Sequence, residues 1–216
     1  MTGKRIVIVD YGAGNLYSVW RAVGICGGEN VHVSDKASDI AVADRIILPG
    51  VGAFADGMRG LTERGLVPVL LDAALAGKPL LGICLGMQML ATLSEEYGIH
   101  SGLDLIPGEV RAIPRTATDG SPLKVPFIGW SPVTLAATED AGLLRNLDKR
   151  AIYLVHSFHF IPHDPSHLLA SYSYGGHAIS AAIRKGNITG VQFHPEKSGE
   201  AGLAIMRDFV ECDVQL

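Results

Sequence analysis

The chain has 216 residues, 48% of them hydrophobic, with a formal net charge of −4. That is enough to bury one domain spanning 1–216, and too acidic for nucleic acid as the main partner, since phosphate binding needs a basic face. Three widely spaced cysteines, Cys26, Cys84 and Cys212, suit a reducing compartment and form no metal-ligand pair. The run 6–9 is too short for a signal-peptide core, and no apolar run approaches the ~20 residues that span a bilayer, so a cytoplasmic protein with no membrane partner is expected.

Apolar β-branched runs alternate with amphipathic stretches through the first half, the pattern of a mostly parallel sheet flanked by helices. A buried strand is predicted over 6–9. Leu16, Val19, Trp20 and Val23 recur at helical spacing, which predicts a helix over 15–25 ended by Gly27-Gly28. Strands follow over 31–34 and 45–48, the second stopping at Pro49-Gly50-Val51-Gly52, then helices over 54–64 and 67–76. The strand over 79–83 leads into a helix-like stretch over 87–93. From about Leu103, Pro107-Gly108, Pro114, Asp119-Gly120-Ser121-Pro122 and Pro126 punctuate short extended runs, so this half is expected to be largely antiparallel. Its later strands are predicted over 151–160, 170–174, 177–183 and 188–193, with Gly175-Gly176 and Lys185-Gly186-Asn187 as hairpin turns. A closing helix over 202–211 turns Leu203, Met206 and Val210 to the core.

Two segments carry the chemistry. Gly82-Ile83-Cys84-Leu85-Gly86-Met87-Gln88 has the form of a nucleophile elbow, a strand-to-helix turn where glycines on both sides avoid clashes. It puts Cys84 at a helix N-terminus, where the dipole and free amide hydrogens favour a thiolate. A buried structural cysteine fits this segment as well. Val191-Gln192-Phe193-His194-Pro195-Glu196-Lys197-Ser198 supplies what a cysteine nucleophile needs, His194 as base and Glu196 as the group that orients it. With a nucleophile present, the Gly50-Val51-Gly52 turn gains a role. Its backbone N–H and that of Leu85 can face the oxyanion of a tetrahedral intermediate.

Other features point to less. Tyr11-Gly12-Ala13-Gly14-Asn15-Leu16-Tyr17 follows a strand and opens a helix, but Tyr17 stands where a dinucleotide-binding loop needs a third glycine. His156, His159, His163 and His167 are near-helically spaced. Pro162 and Pro165 break any helix there, and in a strand His156 and His159 face opposite ways, so no metal is expected. His156 remains a candidate to line a pocket.

Together, Asp10-Tyr11-Gly12-Ala13-Gly14-Asn15-Leu16, Leu48-Pro49-Gly50-Val51-Gly52-Ala53-Phe54, the elbow, Ser94-Glu95-Glu96, Val155-His156-Ser157 and Gln192-Phe193-His194-Pro195-Glu196-Lys197-Ser198 resemble the class I (triad) glutamine amidotransferases. More narrowly, they are similar to the glutaminase subunits of imidazole glycerol phosphate synthases, over essentially the whole chain. The resemblance implies a flavodoxin-like α/β fold, a central mostly parallel sheet with antiparallel strands in the C-terminal half. It implies hydrolysis of glutamine to glutamate and ammonia by Cys84, His194 and Glu196 through a glutamyl thioester, without a cofactor. Val51 and Leu85 carry over as backbone oxyanion donors. Gly50, Gly52, Gln88 and Glu96, with the backbone around Ser157 and Phe158, carry over as the glutamine site. Asn15, Trp130, Tyr153 and Lys197 match positions facing a (β/α)8-barrel cyclase that receives the ammonia in a one-to-one heterodimer, and whose bound nucleotide activates the glutaminase.

Two departures fall near that interface. Where the family usually reads Pro-His-x-Gly-Trp-Asn, this chain has Pro126-Phe127-Ile128-Gly129-Trp130-Ser131. The changes remove an imidazole and an amide from the region of the partner signal. Phe158 also replaces a common tyrosine. Three alternatives stay open on sequence alone: a glutaminase serving another synthase, a flavodoxin-like cysteine hydrolase without a partner, and a non-catalytic binding module.

Overall fold

The near-continuous apolar runs of the first half lie side by side at the centre of one sheet. A computed structural model describes residues 3–136 and 142–211, so Cys212 lies outside the described residues. In the first half, β1 (Arg5–Val9), α1 (Leu16–Ile25), β2 (Asn30–Ser34), α2 (Ala37–Ala41), β3 (Arg45–Leu48), α3 (Phe54–Glu63), α4 (Leu66–Leu75), β4 (Leu80–Ile83) and α5 (Leu85–Met89) follow in order. Then come β5 (Leu93–Ser94), β6 (His100–Ser101), β7 (Gly108–Ala112), β8 (Phe127–Pro132), β9 (Thr134–Leu135), β10 (Ala151–His156) and β11 (Phe158–Pro162). The chain continues through β12 (Leu168–Tyr174), β13 (His177–Lys185) and β14 (Ile188–Val191) to α6 (Gly199–Glu211).

Among the described residues the main sheet has eight strands in the order β2-β1-β3-β4-β14-β13-β12-β9. The five from β2 to β14 run parallel, and β13, β12 and β9 extend them antiparallel. β1 explains why these runs are apolar without alternation. Ile6 and Ile8 join one core with Val19 and Val23 of α1 and Phe209 of α6, while Val7 and Val9 join a second with Leu61 of α3 and Leu70 of α4. Successive side chains of a strand point to opposite faces, and helices cover both. A ribbon, β8 with β10, and a small sheet, β11-β7-β5-β6, stand beside this frame. No helix among the described residues is long and apolar enough to cross a membrane.

Three expectations are corrected and one element is added. The helix after the elbow is only Leu85–Met89, not 87–93, because the chain turns at Leu90 to let Leu93–Ser94 pair with β7. The strand expected over 151–160 is two. It breaks at Ser157, whose carbonyl accepts from the N–H of Ile113 at 2.9 Å, as the chain leaves β8 for β7. The strand expected over 188–193 ends at Val191 and runs parallel to β4. Finally, Ala37–Ala41 forms a short helix with no signal in the apolar pattern.

Candidate active site

β4 and β14 are adjacent and parallel with Ile83 opposite Val191, so the next residues of each, Cys84 and Gln192, emerge side by side at their C-terminal edge. That is where open α/β sheets hold their ligands. The N–H of Cys84 still pairs with the carbonyl of Val191 at 2.8 Å, and the chain then turns sharply, leaving Cys84 at φ 54, ψ −109. A non-glycine residue there is strained. Both elbow glycines are required by close approach. A Cβ on Gly82 would stand 2.8 Å from the carbonyl oxygen of Gly86, and one on Gly86 would run into the carbonyl of Leu48. Leu85 opens α5, so its N–H is a first-turn amide without a partner in the helix.

His194 is brought to Cys84 by the turn that follows β14. Its N–H donates to the carbonyl of Tyr153 at 3.2 Å, while Ser198 Oγ donates to the His194 carbonyl at 2.7 Å and accepts from the Tyr153 N–H at 3.0 Å. Nδ1 of His194 lies 2.9 Å from Glu196 Oε1, with side chains 4% and 1% exposed. Nδ1 thus donates to the carboxylate, which leaves Nε2 for Cys84. Burial alone would lower the His194 pKa. Hydrogen bonding and charge from Cys84 and Glu196 outweigh it and push the value up to about 9.

Cys84 and His194 open into one pocket, walled on one side by Val51, Gly52 and Leu85 and on the other by Gln88, Glu96, Ser157 and Phe158. Of the predicted glutamine-site residues, Gly50 alone is not at its surface. Its α-carbon is packed against Leu85 and the Tyr11 hydroxyl, so it serves the close packing of the turn. Tyr11 Oη donates to the Pro49 carbonyl at 2.8 Å and braces the loop that presents Val51. Glu96 Oε2 accepts from the Phe54 N–H at 2.6 Å. It thereby caps α3 from across the pocket, a role Ala53 at the helix start cannot fill. Gln88 donates from Nε2 to the Phe158 carbonyl at 2.9 Å and to Gln192 Oε1 at 3.0 Å, so a ligand can meet only its carbonyl oxygen.

His156 also lines the pocket. Burial holds its pKa down at about 4, against the hydrogen bond to Phe158 that would raise it. Of the residues expected to face a partner, Asn15 and Lys197 follow β1 and β14, and Trp130 and Tyr153 lie opposite each other on the β8–β10 ribbon. Trp130 is 56% exposed and sits 5.8 Å from the Tyr153 ring across the β8–β10 ribbon, while Asn15 and Lys197 are exposed. On the inner side of the ribbon Phe127 packs at 5.1 Å from Tyr172 and 4.7 Å from Tyr174. No group of three His, Cys, Asp or Glu among the described residues could hold a metal. Gln192, Tyr11 and Ser198 bond within this site although no role was predicted for them. Gln192 stands in the same segment as His194 and Glu196, and the pairing of β14 with β4 puts it beside Cys84.

A family model described as glutamine amidotransferase class-I matches residues 7–212. The imidazole glycerol phosphate synthase subunit HisH 1 of Legionella pneumophila (strain Paris) is 47% identical, over 96% of this chain and 99% of its own length. The HisH subunit of a Geobacillus species is 44% identical, over 94% and 95%. A solved glutamine amidotransferase superposes with a TM-score of 0.71 at 18% identity, over 95% of this chain and 97% of its own, a likeness of fold.

Proposed function

The chain belongs to the class-I glutamine amidotransferase family, and on that premise we propose that it is the glutaminase subunit of an imidazole glycerol phosphate synthase. It hydrolyses glutamine to glutamate and ammonia and supplies the ammonia for histidine biosynthesis as one amidotransferase domain, in the cytoplasm. The observation that carries this reading is the junction of Cys84 and His194 in one pocket, with Glu196 bonded to His194 from behind.

Cys84 Sγ attacks the side-chain carboxamide carbon of glutamine, and the oxygen takes up negative charge facing the N–H groups of Val51 and Leu85. As the C–N bond breaks, the His194 imidazolium gives its Nε2 proton to the leaving nitrogen, which departs as ammonia and leaves a glutamyl thioester on Cys84. Water then attacks the thioester, His194 takes its proton, and glutamate leaves. Glu196 keeps the proton of His194 on Nδ1 during the base steps and stabilises the imidazolium between them. Gln88 offers its carbonyl oxygen to an N–H of the substrate, and Glu96 holds the pocket wall to α3.

The partner is a (β/α)8-barrel cyclase that uses the ammonia to form imidazole glycerol phosphate and an aminoimidazole carboxamide ribonucleotide. It docks over Trp130, Tyr153, Lys197 and Asn15. Tyr153 supports coupling from that surface, because its backbone holds both ends of the His194 turn. The test is glutamate production by the chain alone, with the cyclase, and with the cyclase and its nucleotide. Activation only when all are present supports the reading. A folded chain that the cyclase does not activate would move it to a related amidotransferase of another pathway.

A further inference from the structure

We propose that Gln192 is a further positioning residue of this glutaminase, its buried carboxamide donating a hydrogen bond to Cys84 Sγ that orients the sulfur and favours its thiolate. The inference rests on Cys84 being the nucleophile. Gln192 has no solvent exposure, and its Nε2 lies 3.8 Å from Cys84 Sγ. Its backbone is tied to β13 through a 2.9 Å bond from its N–H to the Ala181 carbonyl.

The direction of that bond follows from the groups behind it. The Phe158 carbonyl can only accept, and it receives both Gln88 Nε2 at 2.9 Å and His156 Nδ1 at 2.8 Å. Both are therefore donors. The same Gln88 nitrogen faces Gln192 at 3.0 Å, so Gln192 turns its oxygen to Gln88 and its NH2 group to the sulfur. His156, neutral and with its proton on Nδ1, accepts at Nε2 from the Tyr172 hydroxyl at 2.9 Å. The relay thus begins at a tyrosine, passes the pocket wall and ends at the nucleophile. An N–H aimed at a buried sulfur strengthens when the sulfur is charged, so it favours the thiolate over the thiol and restrains its rotation. The titratable groups around the sulfur are His194, with Glu196 behind it, Tyr11, whose hydroxyl burial and the Cys84 charge push above its usual range, and Glu96 and His156 in the wall of the same pocket.

The test is the pH dependence of Cys84 alkylation by iodoacetamide in the full chain, followed on the Cys84 peptide by mass spectrometry. Gln192→Met removes the N–H at similar length. Gln192→Glu keeps the acceptor that Gln88 needs and turns a carboxylate to the sulfur. Gln192→Met is expected to slow alkylation about tenfold near neutral pH and to regain the rate about one pH unit higher, the size of one charge-assisted bond. Gln192→Glu is expected to slow it further. A residue that only fills the core would leave the pH curve in place. Parent-like curves in the folded variants overturn the proposal, and so does loss of folding in both, which would assign Gln192 to the core. Turnover by Cys84→Ser tests the glutaminase reading separately. If that variant is dead while the Gln192 variants keep the parent curve, this inference alone fails.

Discussion

Replacing Glu196 by glutamine changes one atom of a fully buried group and tests the division of labour in the triad. The carboxylate contacts Nδ1 of His194 at 2.9 Å through Oε1, while Oε2 has no protein partner among the described residues. A charge-assisted hydrogen bond contributes about 1.5–3 kcal/mol, roughly a ten- to 150-fold loss at about 1.4 kcal/mol per decade. The tautomer adds to this. With nothing holding the second oxygen, the new carboxamide can turn its NH2 to Nδ1 and move the imidazole proton to Nε2, where the ring no longer serves as a base toward Cys84. The expected fall in kcat is therefore about 10²- to 10⁴-fold. KM should stay within about threefold, since Glu196 is behind His194 and does not line the pocket.

The pH profile gives a second readout of the same substitution. The His194 pKa is raised to about 9, so the imidazolium that protonates the leaving nitrogen is present below that pH and lost above it. The alkaline limb of glutaminase activity should bend near 9 in the parent and move toward 6.5, the ordinary histidine value, in Glu196→Gln. Steady-state glutamate release by the assembled synthase across pH measures both. A kcat within threefold of the parent with an unmoved alkaline limb would refute the role given to Glu196.

Gly86→Ala should destabilise the chain by more than about 3 kcal/mol or prevent its soluble expression, because the added methyl meets the backbone carbonyl of Leu48. Thermal melting checks it, and a parent-like midpoint would contradict the packing argument. His156 and His159 are both held down to about 4 by burial, so the unfolded chain takes up protons below 6.5 before the folded one does. Stability should be full above pH 6.5 and fall as pH drops toward 4, by up to about 3 kcal/mol per histidine. Urea midpoints at pH 7 and 4.5 read this, and His159→Phe should flatten its share. Trp130→Ala should weaken association with the cyclase about tenfold or more, as loss of an exposed aromatic anchor does, while leaving the melting temperature of the free chain nearly unchanged.

Much of this was legible because the central parallel strands are buried on both faces and read as apolar runs, Ile6 to Val9 and Ile46 to Leu48 among them. The elbow was legible because the glycines on both sides of Cys84 are part of its pattern, Gly82 being demanded by the nearby Gly86 carbonyl and Gly86 by that of Leu48 in β3. What was hidden depends on distant pairing. Nothing in Met87 to Leu93 announces that a two-residue strand will leave to join β7, and the break at Ser157 is set by its partner Ile113. Glu96 caps a helix that starts 42 residues earlier, so no capping motif marks it. Gly50 lies in a glycine-rich loop whose outer members reach the pocket, and only the packing of Tyr11 separates its role from theirs. Gln192 opens the segment that carries His194 and Glu196, but nothing in that segment gives it a role, and only the register of Val191 against Ile83 brings it to the sulfur.

The central claim is that the carboxamide of glutamine is cleaved by covalent attack from Cys84. The most direct measurement is glutamine turnover by the synthase assembled with Cys84→Ser, together with acid-quenched mass spectrometry of the parent during turnover. The account predicts no detectable glutamate from the variant and a glutamyl adduct on the Cys84 peptide of the parent. Glutamate release by Cys84→Ser at the parent rate, with no adduct in the parent, would contradict it.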